Sequence, residues 1–160
     1  MRLSLTLIAF ASALTQCALA QTTTTTVVTR ESSYPPVGLA STETMQVNLA
    51  NLASNVTNGP AASCTGSVSF INAAGTTIGA ATNFNVAENI VFSVSLPFTK
   101  SAISGVRGEV RVVIQTTTPT GKNSPPCSLQ TSLETFDTTT GATHVYLTSG
   151  SETPVSTPGK

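Results

Sequence analysis

Cys127-Ser-Leu-Gln-Thr-Ser-Leu-Glu-Thr-Phe-Asp137, then Thr138-Thr-Thr-Gly141, then Ala142-Thr-His-Val-Tyr-Leu147 is the stretch whose reading decides the fold. The flanking runs are rich in β-formers and alternate polar with apolar residues, the period of a strand with one buried face. Thr138 to Gly141 separate them. Gly141 supplies the left-handed residue that ends a four-residue hairpin loop built on a type I turn. Asp137 is placed to fold its carboxylate onto the turn amides. Cys127 heads this hairpin, and Cys64 heads an earlier run of the same kind, so the two are read as a disulfide.

Working outward, residues 1–20 have the form of an export signal, with Arg2, an apolar run from Leu3 to Leu14, and Ala18-Leu19-Ala20 before Gln21. The run is too short to span a bilayer as a helix. Gln16 stands where a lipoprotein signal carries a small residue, which argues against a lipid anchor on Cys17. Removal of the signal leaves two cysteines in an oxidising compartment, which favours one structural disulfide over a metal or redox role. It closes a loop of roughly 63 residues, for which chain entropy suggests about 4 kcal/mol as an upper figure.

Charged residues are 9% of the 160-residue chain and the formal net charge is zero. Such a surface has no basic patch for phosphates and no acidic field, which excludes nucleic acid and electrostatic membrane binding as leading functions. Weak self-repulsion permits association with like chains or a matrix.

Residues 21–37, with five consecutive threonines and Pro35-Pro36, read as a disordered linker because they offer little to bury, and residues 149–160 read as a disordered polar tail. Between them, residues 38–148 alternate with period two in short runs. Seven strands are predicted: 44–52, 64–71, 76–84, 89–96, 106–115 and the two arms of the opening hairpin, with a loop over 116–126. On the fourth, Ile90, Phe92, Val94 and Leu96 face inward; on the fifth, Val106, Gly108, Val110, Val112 and Ile114 do. The fold class is all-β: a two-sheet antiparallel sandwich of immunoglobulin-like size. If every connection reverses direction, Cys64 and Cys127 start parallel strands and lie at one end. No Trp packs on the bond, and Pro125 stands where a tyrosine corner would place Tyr, so the sandwich is generic.

The segments Val37 to Asn48, Cys64 to Phe70 and the closing hairpin resemble a group of small uncharacterised secreted bacterial proteins. The resemblance covers roughly residues 37–148 and implies export and a β-fold. It implies no catalytic residue.

His144 is the sole histidine, whereas copper or zinc sandwiches need several imidazoles or a free thiolate, so no metal or cofactor is expected. Ser132, His144 and Asp137 could be imagined as a hydrolase triad, but they share one hairpin without a nucleophile elbow. A four-residue loop pairs His144 with Thr135; a slip by one pairs it with Glu134. Arg107, Glu109 and Arg111 alternate onto one face as a charged recognition stripe or a solvated surface. Asn55-Val56-Thr57 fits a glycosylation pattern, read as chance in a chain that resembles bacterial proteins. Tyr34 and Tyr146 are the aromatic candidates for a sugar platform, with Tyr34 placed in the linker. The expectation is a non-enzymatic secreted structural or interaction module that pairs with protein or with itself through sheet edges, Asn48 and Thr143 lying on candidate edge strands. A carbohydrate- or small-ligand-binding module is the alternative, with Arg107, Glu109, Arg111, His144 and Tyr146 as contact residues.

Overall fold

The structure, a computed structural model, describes residues 26–52, 63–120, 127–148 and 151–154. The signal, the Asn55 tripeptide and Pro125 lie outside the described residues. Among the described residues ten strands run in chain order: β1 Thr26–Ser33, β2 Val37–Ala40, β3 Glu43–Asn51, β4 Cys64–Asn72, β5 Thr77–Val86, β6 Val91–Pro97, β7 Arg107–Thr120, β8 Leu129–Asp137, β9 Thr143–Thr148 and β10 Ser151–Pro154, with one 3-10 turn at Phe98–Lys100. All pairings are antiparallel. One sheet has the order β10-β1-β7-β4-β5, with β2 also on β7; the other has the order β6-β3-β8-β9. No helix among the described residues is long and apolar enough to cross a membrane.

The alternation of the sequence sets the core. Met45, Val47 and Leu49 of β3 and Leu133 of β8 face Val68 and Phe70 of β4 and Val110, Val112 and Ile114 of β7, all buried. At one end of the sandwich Cys64, the first residue of β4, is bonded to Cys127 just before β8, so the disulfide ties one sheet to the other. Asn51, fully buried beside it, donates its Nδ2 to the Val86 carbonyl at 3.1 Å, and the backbone of Leu52 donates to that of Ser128 at 2.8 Å. A buried amide without these acceptors would cost more than the bond contributes, so Asn51 belongs to the architecture of this end.

The opening hairpin forms as read. Asp137 Oδ1 accepts from the Thr139 and Thr140 amides at 2.9 and 2.8 Å, and Gly141 sits at φ 73° with its N–H on the Asp137 carbonyl. The β4–β5 hairpin uses the same device: Asn72 Oδ1 accepts from Ala74 and Thr76 across the turn that Gly75 closes.

Several expectations are corrected. The linker over 21–37 is folded from Thr26 onward: β1 pairs along its whole length with Val113–Thr120 of β7, and β2 takes the same edge further along, at Arg107–Val110. The loop read over 116–126 is strand as far as Thr120. The polar tail also contributes β10, which pairs with β1. These segments were invisible to a search for buried faces because a ladder requires only backbone donors and acceptors; Val27 and Val28 are exposed although paired. Ile90 and Val106, expected inside, are 53% and 77% exposed because each lies outside its strand. Asn48 lies on β3, between β6 and β8, and so is not at an edge; Thr143 is on edge strand β9.

Tyr34 is the largest of these surprises. Buried to 1% exposure between β1 and β2, it hydrogen-bonds through its N–H to Val112 and donates its phenol to Thr131 Oγ1 of the opposite sheet at 2.7 Å. Burial pushes the phenol above its ordinary value of 10.0. It is a core residue and no sugar platform. Tyr34→Phe is expected to lower stability by about 1–2 kcal/mol, because it leaves Thr131 without its partner in the core. Urea unfolding with the disulfide intact reads this as a lower midpoint at unchanged slope.

Candidate functional site

At the end of the sandwich opposite the disulfide, the β2–β3 turn brings Glu43 inward as the first residue of β3. Its carboxylate has only 8% of the side chain exposed, and Oε2 accepts from the Ala40 N–H at 2.8 Å. Oε1 pairs with His144 Nδ1 in a short contact. Burial pushes the Glu43 carboxyl up, but the Ala40 amide, His144 and the charge of Arg107 together outweigh burial and hold it below its ordinary value of 4.5. Arg107 reaches this corner by lying across Gly38, where a Cβ would come within 2.3 Å of its guanidinium, so a larger residue there would push the flexible end of the arginine aside. The turn is clamped by Thr138 of the neighbouring β8–β9 turn, whose N–H and hydroxyl both donate to the Thr42 carbonyl at 2.9 Å.

His144 reaches Glu43 because it pairs with neither expected neighbour. Phe136 faces Thr143 and Thr135 faces Val145, so His144 is the extra residue of a β-bulge. Bulges turn a side chain away from its regular place on the sheet. The residue that organises this corner, Glu43, was missed in the sequence. Its signal was local: an acid three residues past Ala40 in a tight turn, able to bond back to the amide that opens it.

The imagined triad is not assembled. Ser132 pairs with Thr148, three to four residues along β8 from the bulge, or about 10–13 Å at strand rise. Asp137 is occupied by its turn amides, which hold its carboxyl below the ordinary 3.8. Among the described residues no group of three or more His, Cys, Asp and Glu could hold a metal ion. The charged stripe divides: Arg107 serves the Glu43 corner, whereas Glu109 and Arg111 border a depression of about 210 Å³ with Pro36, Ile71 and Asn72. That is below the usual size of a ligand pocket.

Two surfaces remain. The outer face of the four-stranded sheet carries in-register rows, Ser95–Gln46–Glu134–Tyr146 and Ser93–Asn48–Ser132–Thr148. Neither of the two strands with free edges on one side of the sandwich, β5 (TIGAATNFNV) and β6 (VFSVSLP), contains a charged residue, Glu88 lying in the turn between them. No protein-family model matches the chain, and no curated protein or solved structure matches it significantly.

Because Glu43 is held as a carboxylate by its partners, its contribution to stability is complete above the ordinary carboxyl pKa. It is lost as the pH falls through the lower, folded value. Glu43→Gln should therefore destabilise the protein by about 1–2 kcal/mol at pH 7, with the gap to the native chain narrowing below about pH 4. Thermal unfolding of both proteins across pH 3 to 7 checks the direction; a gap independent of pH would contradict it.

Proposed function

We propose that this chain is a non-enzymatic, exported interaction module that associates with protein, including its own copies, by adding a strand to an open sheet edge. The observation that carries the reading is the uncharged pair of edge strands, β5 and β6. A free edge is a row of unpaired N–H and C=O groups, and proteins ordinarily guard such rows with Lys, Pro, bulges or shortness. Among the described residues the other edges carry such guards, and β6 ends in Pro97, which leaves β5 as the least defended edge. β2 and β10 are four residues long, and β10 contains Glu152 and Pro154; β9 has six residues and the His144 bulge.

β5 has ten residues, no Lys and no Pro, and beyond an irregularity opposite Val68–Phe70 it pairs regularly with β4 from Thr82 to Val86. Its exposed side chains there, Thr82, Asn83 and Asn85, are small and neutral. Their desolvation costs little, and a partner strand satisfies the backbone groups. Export is supported by the form of residues 1–20 and agrees with the disulfide.

Association should rise with concentration and change little between low and high salt, since little of the attraction is ionic. Asn83→Lys combined with Asn85→Lys should weaken it at least about tenfold, a cost of about 1.4 kcal/mol, without shifting the unfolding midpoint. Sedimentation velocity decides this: a strict monomer at high concentration that also fails to bind extracellular matrix fractions would sink the reading.

A further inference from the structure

The outer face of the β6-β3-β8-β9 sheet is built differently from the neutral edge beside it. Its side chains are wired to one another: Gln46 Nε2 donates to Asn48 Oδ1 at 2.9 Å and to Glu134 Oε1 at 3.2 Å, and Asn48 Nδ2 donates to the same Glu134 oxygen at 3.0 Å. Ser93 donates to Asn48 Oδ1 at 2.6 Å and Ser95 to Gln46 Oε1 at 3.1 Å. Five side chains from three strands thus hold one another in fixed rotamers. Ordering them again on binding costs little, which is the general advantage of a preorganised site.

The atoms left over define the ligand. Both amide donors of Gln46 are used inside the network, but Glu134 Oε2 has no partner among the described residues, and one Asn48 N–H and the Ser132 and Thr148 hydroxyls face the same rows. Next to Glu134 in register stands Tyr146, 61% exposed. A ring left this open offers a flat apolar face, with its hydroxyl at the rim. The four strands contain no Lys and no Arg. The face therefore lacks the cations that phosphate, sulfate or an acidic polymer would require.

Neutral hydroxyls match every open atom here, each able to donate to the carboxylate or accept from an amide, and the C–H face of a sugar ring matches the tyrosine. Rows crossing four strands at about 4.8 Å spacing span about 14 Å, room for several linked sugar units in an extended chain. We propose that this face binds a neutral oligosaccharide, with Glu134 and Asn48 taking its hydroxyls and Tyr146 stacking on one ring. The site is separate from the β5 edge, so each can fail alone.

The test is an amide NMR titration of the isotopically labelled protein with cello-, xylo- and manno-hexaose, with a heparin-derived hexasaccharide as the acidic comparison. The expected result is saturable shifts for at least one neutral hexaose, centred on Gln46, Asn48, Glu134 and Tyr146, with the acidic oligomer inert. Tyr146→Ala should weaken binding about tenfold and Glu134→Gln severalfold, each keeping a dispersed, native spectrum, while the Asn83→Lys/Asn85→Lys protein binds as before. The proposal is overturned if no neutral hexaose gives saturable shifts, if the shifts map to another face, if Tyr146→Ala binds normally while folded, or if the acidic oligomer binds more tightly.

Discussion

Two sheets, each with one apolar face, must be held in one register for their side chains to interlock, and the Cys64–Cys127 bond imposes that constraint from one end. It joins the start of β4 in one sheet to the segment that enters β8 in the other, so it fixes the relation between layers as well as shortening the unfolded chain. Asn51 bonds across the sheets beside it, and Tyr34 bonds across them further in, to Thr131. At the far end Glu43 performs the same service with a charge. It gathers Ala40, His144 and Arg107 around one shielded carboxylate. A domain with so few charged residues places two of them, Glu43 and Arg107, at a joint.

What could be read in the sequence follows from which forces leave a local trace. Burial against a core leaves a period of two, so the strands from β3 to β9 were legible, as were the Asp137 and Asn72 turns and the disulfide, whose partners head parallel strands in facing sheets. Backbone pairing leaves almost none. β1 and β10 bury little and were read as linker and tail, although β7 continues to Thr120 and offers β1 a complete edge. Tyr34 was hidden for the same reason, since its neighbours Ser33 and Pro35 say nothing of a core position. The His144 bulge depends on a one-residue insertion that two plausible registers both failed to include.

The candidate surfaces divide the same way. Arg107, His144 and Tyr146 were visible as unusual residues in a neutral chain, but their assignment required the third dimension. Arg107 and His144 converge on Glu43 and act structurally, while Tyr146 points outward beside Glu134. The Gln46–Asn48–Glu134 network could not be seen in sequence because it joins β3 to β8 across more than 80 residues. The least defended edge, β5, emerges from strand order, since whether a neutral strand is interior or edge is a property of the sheet.

The account rests most heavily on β5 as a strand open to a partner, and amide hydrogen exchange followed as a function of protein concentration addresses that directly. Amides of β5 between Thr82 and Val86 that β4 does not hold should exchange fast in dilute protein and gain protection as concentration rises, while those of β9 stay unchanged. Exchange in β5 that is independent of concentration, or protection that grows on β9 instead, would contradict the account.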